Sequence, residues 1–513
     1  MVVGFSSRKS TAMLIVATSF GLLNSAVLIV YLAVLVFIGV KLAGRQTSTE
    51  EYFLAGRRMP WLVVGISMYA SLTSAISYLS IPGRAFEENA SLIVAGFVSL
   101  AAAPVLILLF YPFYRQLNVT TSYEYVLQRY GPTARTTVSS LFVLARLGWL
   151  GTVIYAPALA LSVVTKIPMA ATITIMGVLA TIYTMLGGLA AVLWTDLFQF
   201  LVLAGGAVWV AVSVTTSVPG GSGAIFDLAD ATGRLDIFDL RYGLFEMTGI
   251  AVALMYFVEM LQSYGTDQVT VQRLMSVKTY GGMAKAAVFN SVSDLVFSAL
   301  LLYVGLGLFA YFHHFPEALP DDLVKDGVLP FYIMHALPDG ISGLLITAIF
   351  AAAMSSMDSG INSLATVLVN DFVKPRRPAM KEAQGVNLAR SMTLGLGVVA
   401  TAIAFYVSTI ERLLQASSEF LSLFAAPVLV IFLVGMLNRR VNFPGWLTGV
   451  AVSIPSTYWV QKWTDVHYVH YGPFSFAVCA VTTVVASYVI GKFWNVPLGD
   501  RRLTIWGRDD PQE

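Results

Sequence analysis

The sequence predicts an all-α polytopic membrane protein, on three observations: charge is scarce, apolar runs of spanning length recur along the whole chain, and the loops between them alternate in sign. Of 513 residues, 57% are hydrophobic and 12% charged, and the mean hydropathy is +0.75. Soluble domains carry about 25% charged residues. Half that share cannot cover the surface of a water-soluble protein of this size, so lipid must cover much of it. The formal net charge of +2 gives no field that would gather nucleic acid. The single cysteine, Cys479, excludes an internal disulfide framework and a cysteine-rich metal site. His313, His314, His335, His467 and His470 show no metal-ligand spacing on one helix and read as ordinary loop or interface residues.

About thirteen runs are long enough to cross ~30 Å of hydrocarbon. They lie near 21–43, 59–84, 89–115, 134–165, 168–187, 191–217, 244–264, 279–313, 340–370, 387–408, 412–437, 444–462 and 473–493. Ahead of the first, residues 1–20 hold Arg8 and Lys9. No convincing small-residue cleavage site follows, so they read as an extension before a true spanning helix and not as a signal peptide. The longest loops, near 218–243 and 314–339, are too short to be catalytic domains.

Basic residues follow the first, third, ninth, eleventh and last runs: Arg45, Arg57 and Arg58; Arg115, Arg129 and Arg135; Lys374, Arg376, Arg377 and Lys381; Arg439 and Arg440; Arg501 and Arg502. The alternate loops carry Asp227, Asp230, Asp236 and Asp239, then Glu317, Asp321, Asp322 and Asp326. The positive-inside rule therefore puts the N-terminus outside and the C-terminus inside. An odd number of spans requires that same arrangement.

Two spans are interrupted by polar residues. In the second, Ser67, Ser71, Thr73, Ser74, Ser77 and Ser80 crowd the stretch from Gly65 to Pro82-Gly83. The seventh ends in Gln262-Ser263-Tyr264-Gly265-Thr266-Asp267-Gln268, polar where a simple span would be apolar. Broken helices at membrane depth expose carbonyls and amides and so normally line a cavity. Matching interruptions in two halves of a chain point to a transporter site. The alternative is serines that bond back to carbonyls and merely bend a packed helix.

The ninth span places Ser355, Ser359 and Asn362 at i, i+4 and i+7, with Asp358 beside them. Hydroxyls and freed carbonyls are oxygen ligands for a hard cation such as sodium. An intramembrane aspartate is costly unless paired, so Asp358 is either a site residue or the partner of a basic side chain. Arg146 sits mid-helix and pairs either with an acidic side chain or with an anionic solute. Asp196 lies just inside the sixth span, after Trp194 and Thr195. For Glu259, Asp294 and Glu419, structural pairing is the expectation. Nothing resembles a metal triad, a nucleophile elbow or a phosphate loop, and Ser-Ser-Met-Asp lacks a histidine at membrane depth, so no enzyme is expected.

From about 21 to 495 the chain resembles the sodium/solute symporter family. The matching elements are Glu51-Tyr52-Phe53-Leu54-Ala55-Gly56-Arg57, the serine-rich broken helix at 65–83, the run from Tyr183 to Leu189 with Gly187-Gly188, Trp194-Thr195-Asp196, Asp267-Gln268 with Val271-Gln272-Arg273, and the Ser355-Ser356 helix. The resemblance implies a LeuT-like fold: a leading helix at 21–43, inverted five-helix repeats at 59–217 and 244–437, two trailing helices at 438–495 and a cytoplasmic tail at 496–513. It implies one sodium site from the carbonyls of Ala70, Thr73 and Ala352 and the hydroxyls of Ser355 and Ser356. A second, similar to that of sialic-acid-transporting members, maps to Asp196, Ser355, Asp358 and Ser359, with Asp358 where that pattern has a serine.

The same resemblance places solute contacts at Leu72, Ser74, Ser77, Gln262 and Ser263. Sialic-acid members hold the solute carboxylate with an arginine at the position of Trp149; here Arg146 lies one turn earlier. Tyr155-Ala-Pro-Ala-Leu-Ala-Leu and Tyr264-Gly-Thr-Asp-Gln look like the monocarboxylate, multivitamin and iodide branch. The implied function is sodium-coupled import of an organic anion at the plasma membrane, with a sugar or amino acid as the alternative solute. A sensor built on the transporter fold is the rival of another class, and the short tail argues against its signalling domain. The implied partners are the solute, one or two sodium ions and the bilayer, with no obligate protein partner.

Overall fold

A computed structural model describes residues 21–43, 49–165, 167–186, 189–237, 243–320, 323, 325–410, 413–494 and 496–507. The extension at 1–20, Gly187-Gly188, Arg45, Asp239, Asp321, Asp322 and the last six residues lie outside them. Each apolar run forms helix. In chain order these are α1 (Leu22–Ala43), α2 (Trp61–Leu72), α3 (Ala75–Glu87), α4 (Ile93–Val105), α5 (Pro132–Thr165), α6 (Met169–Leu186) and α7 (Leu189–Ser217). The second half follows as α8 (Gly249–Gly265), α9 (Gln268–Ser276), α10 (Tyr280–His314), α11 (Ile341–Val367), α12 (Glu382–Val407), α13 (Leu413–Leu437), α14 (Phe443–Trp463) and α15 (Tyr471–Trp494).

Among the described residues, eight helices are long and apolar enough to cross a membrane, and α2 with α3 makes a ninth, bent by 61°. The bend has a local cause. Ser74 takes extended backbone and its hydroxyl accepts from the Ile76 N–H, which restarts a helix at Ala75. Pro82, inside α3, has no N–H to donate to the ladder. The seventh span breaks in the same manner. Asp267 caps α9 through the Val269 N–H at 2.8 Å, so α8 and α9 are separate segments.

Burial sorts the helices. In α11 and its continuation, 89% of the apolar window is buried inside the protein, against 22% for the window of α15. Helix α11 is therefore the central post, and α14 and α15 present Trp459, Trp463, Val481, Val485, Phe493 and Trp494 outward. Helix α1 is clipped to the start of α11 by Asn24: its side-chain oxygen accepts from the Gly340 and Gly343 N–H groups at 2.7 and 3.0 Å, and its amide donates to Asp339 at 3.0 Å. Gly343 is required there, since a Cβ would sit 2.6 Å from the Asn24 Cα. The segment after α15 packs back on the bundle: the Leu503 carbonyl accepts from the Tyr125 hydroxyl at 2.9 Å, and the Ile505 N–H donates to the Met436 carbonyl at 3.1 Å.

Candidate functional site

The first element of the site is backbone. At the end of α2 the Thr73 N–H donates to the Tyr69 carbonyl at 2.8 Å, and the ladder resumes with the Tyr78 N–H to the Ser74 carbonyl at 3.2 Å. The carbonyls of Ala70, Ser71, Leu72 and Thr73 fall between these rungs. Helix α11 packs against both α2 and α3. On it, Ala352, Ser355 and Ser356 are each no more than 2% exposed. The Ser356 hydroxyl is buried with no hydrogen-bond partner among the described residues. Leaving such a group unsatisfied costs about 1–3 kcal/mol. Lone-pair oxygens without protein donors, on two facing elements and without net charge, form a donor set that suits a monovalent hard cation.

A second cluster lies beside the first. Asp196 of α7 is fully buried and accepts from four side chains. Ser355 donates at 2.5 Å, Ser71 at 3.2 Å and the Arg273 guanidinium at 3.2 Å, and Ser67 completes the set. Arg273 also reaches Ser67 through Nε at 2.8 Å and donates to Ser359. Three of the positions expected of a second sodium site, Asp196, Ser355 and Ser359, are thus brought together, with Arg273 inserted among them. Asp358, 1% exposed, is near enough for its charge to act on Arg273 and on Tyr31 of α1. Two carboxylates therefore face one guanidinium.

The third element is a cavity of about 160 Å³ between the broken helices and α4, α5, α10 and α13. Leu72, Ser74, Ser77, Arg146, Trp149, Gln262 and Ser263 all line it. Arg146 pairs with Asp267 at the cap of α9, and its guanidinium carbon lies 4.4 Å from the Trp149 ring centroid. Of the two roles open to Arg146, acid pairing is realised, while its Nε keeps no partner at the cavity wall. Gln262 turns its backbone carbonyl to the break, where it accepts from the Thr266 and Asp267 N–H groups at 3.0 and 3.1 Å. The break is further tied to the loop before α5: Gln268 accepts from the Ser122 N–H at 2.9 Å and donates to the Thr120 carbonyl at 2.9 Å.

Expectations for the remaining acids divide. Glu419 is paired, with Lys462 at 3.0 Å. Glu259 and Asp294 instead line the cavity without a basic partner among the described residues, so structural pairing is corrected for both. Asp294 accepts from Ser99 at 2.8 Å. Arg273 was legible only as part of a motif match; the signal that assigns it a role is the need to balance Asp196 and Asp358 with a buried cation.

Residues 52–453 match the Sodium:solute symporter family. The sodium/sialic acid symporter NanT of Aliivibrio fischeri is 32% identical over 459 residues, 89% of this chain and 91% of that one. The sodium-dependent multivitamin transporter of Oryctolagus cuniculus is 29% identical and aligns with 95% of this chain and 79% of its own. A solved Na+-coupled sialic acid symporter, in a substrate-bound outward-open state, superposes with a TM-score of 0.86 at 26% identity, covering 94% of this chain and 100% of that one. With the family match running through both helix breaks and the Ser355-Ser356 helix packed against the first of them, the chain belongs to the Sodium:solute symporter family and couples solute uptake to sodium.

Proposed function

We propose that this symporter imports a small organic acid by alternating access, with sodium held between the α2–α3 break and α11. The carbonyls of Ala70, Thr73 and Ala352 and the hydroxyls of Ser355 and Ser356 supply its ligands. The single observation that carries this is the Ser356 hydroxyl, buried on the helix that packs against the α2–α3 break and without a partner among the described residues. Sodium stabilises the state that completes the solute cavity, and the solute in turn raises sodium affinity by the same factor. Asp196, Ser355, Asp358 and Ser359 form the second sodium position, entered only when Arg273 shares or yields its contacts.

An acid is favoured as solute because the cavity holds Arg146 beside Trp149. The solute contacts are Leu72, Ser74, Ser77, Gln262 and Ser263 with those two. The same proposal includes thirteen spans, the N-terminus outside, and inverted repeats at 59–217 and 244–437. It is supported by breaks that fall in the first helix of each repeat, at 73–74 and 266–267. With two sodium ions and one monoanion, about 100 mV and a tenfold sodium gradient supply roughly 5 kcal/mol, enough for a concentration ratio of several thousand. The test is uptake by purified protein in liposomes under sodium, potassium or proton gradients. Sodium-driven accumulation that needs about tenfold more sodium in Ser356→Ala supports the assignment; accumulation driven by protons alone and indifferent to Ser356→Ala removes it.

A further inference from the structure

The solute cavity holds more carboxyl groups than its basic side chains can pair. Its charged or acidic lining residues include Arg146, Glu259 and Asp294, and Arg146 pairs with Asp267 while its Nε has no partner among the described residues. Glu259, on α8, has no hydrogen-bond or ion-pair partner among the described residues and opens onto the cavity. Asp294, on α10, receives only hydroxyls, from Ser99 at 2.8 Å and from Tyr264. The two carboxylates are near enough for their charges to act on one another. Behind that wall Asn290, one turn before Asp294 and 1% exposed, sits beside Tyr264 with its side-chain oxygen lacking a hydrogen-bond donor among the described residues. The cluster is thus rich in acceptors and short of donors.

Aromatic side chains share the cavity wall with these acids. Tyr69, Tyr256 and Tyr264 all line the cavity and all lie within reach of the Asp294 charge. Acidic oxygens and tyrosine rings around one space are the chemistry that holds a protonated or methylated nitrogen: the carboxylates supply charge, the ring faces supply cation–π attraction, and an ammonium brings the missing donors. A pair of uncompensated carboxylates at membrane depth is otherwise costly, and so marks a ligand site.

We propose that Glu259 and Asp294, ringed by Tyr69, Tyr256 and Tyr264, form a subsite for a cationic nitrogen, so that the solute carries an ammonium group as well as an acid group. Resting on the reading of this cavity as the solute site of a sodium symporter, the inference narrows the solute from organic anions to zwitterions. Glu259 lies on α8 and Asp294 on α10, whereas Arg146 lies on α5. The acidic and basic groups therefore enter the cavity from different helices, which suits a solute whose two charges are several bonds apart.

The test is sodium-driven uptake in proteoliposomes of matched solutes with and without the nitrogen: γ-aminobutyrate against butyrate, β-alanine against propionate, and carnitine against 3-hydroxybutyrate. Sialic acid and lactate are run beside them. Wild type, Glu259→Gln and Asp294→Asn are compared, and the sodium-induced rise in melting temperature of each variant reports whether fold and sodium site are intact. The expected result is accumulation confined to nitrogen-bearing members, with the half-saturating concentration raised about tenfold or more in Glu259→Gln while the sodium-induced shift is kept. Accumulation of nitrogen-free acids, sialic acid or lactate with the same affinity in wild type and Glu259→Gln overturns the subsite. An effect of Glu259→Gln confined to the pH dependence of a nitrogen-free acid's uptake assigns the pair to proton binding and overturns it equally. Absence of any sodium-induced shift in wild type strikes instead at the symport reading, and the subsite falls with it.

Discussion

Asp196 and Glu259 are both carboxylates on apolar helices, and their surroundings are opposite. Asp196 is fully buried and accepts from Ser67, Ser71, Ser355 and Arg273, which come from three other helices. Glu259 is half-buried, faces the cavity and has no protein partner among the described residues. A charge whose hydrogen-bonding capacity is filled by the protein acts as a joint: it fixes α2, α7, α9 and α11 in one arrangement, and each element that moves must break bonds. A charge left facing a cavity is available to something that arrives. The two acids thus separate what holds the transporter from what loads it.

The largest effect that sharpens this contrast is expected at the joint. Asp196→Asn leaves the Arg273 guanidinium, 1% exposed, without its full counter-charge. Removing one partner of a buried ion pair typically costs about 3–5 kcal/mol. The variant should therefore lower the melting temperature in detergent and the yield of monodisperse protein, whereas Glu259→Gln should change neither by much. An Asp196→Asn protein that melts like wild type would break the comparison, since the network would then carry no structural load.

The next effect distinguishes two neighbouring serines. Ser355 donates to Asp196 at 2.5 Å, but the Ser356 hydroxyl has no bond to lose. Ser356→Ala should raise the sodium concentration for half-maximal uptake about tenfold while leaving stability in sodium-free buffer nearly unchanged. Ser355→Ala should do both kinds of damage, with about 1–3 kcal/mol of stability lost through the unfilled Asp196 oxygen. Melting curves with and without sodium, set against uptake titrations, separate the two outcomes. Equal stability losses for both serines would mean that Ser356 has a protein partner.

How these arrangements were legible follows from the range of the interactions. Helix breaks are local: Ser74 and Asp267 cap the helices that restart after them through N–H groups two residues on, and polar clusters in apolar spans announced both. The cavity followed because every side chain expected to touch solute lies near one of those breaks or on α5. Pairing could not be read in the same way. Arg146 meets Asp267 across 121 residues and Arg273 meets Asp196 across 77, and nothing in either sequence neighbourhood names the partner. Glu259 and Asp294 were misjudged for a related reason: pairing is the usual fate of an intramembrane acid, and only their placement on one cavity wall distinguishes them. The packed segment after α15 was likewise invisible, since its bond to Tyr125 spans 378 residues and its bond to Met436 also lies far outside its own neighbourhood.

Glu419 completes the series and gives the smallest effect. It lies on α13 near the cavity residues Ser417, Ser418 and Ser422, and pairs with Lys462 at 3.0 Å. Unlike Arg273, Lys462 is 33% exposed, so its ammonium keeps much of its hydration whether or not the pair forms. Exposed pairs of this kind contribute about 0–1 kcal/mol. In Lys462→Met the acid retains the Gln415 amide at 3.3 Å, and water fills the remainder. The melting temperature should shift by no more than a few degrees, and uptake affinity should stay within about twofold of wild type. A large loss of affinity in Lys462→Met would place Glu419 with Glu259, as an acid whose charge the solute senses. Near-silence leaves it as a rim pair, and sets the order of the three carboxylates by how much of each one's partner set the protein itself supplies.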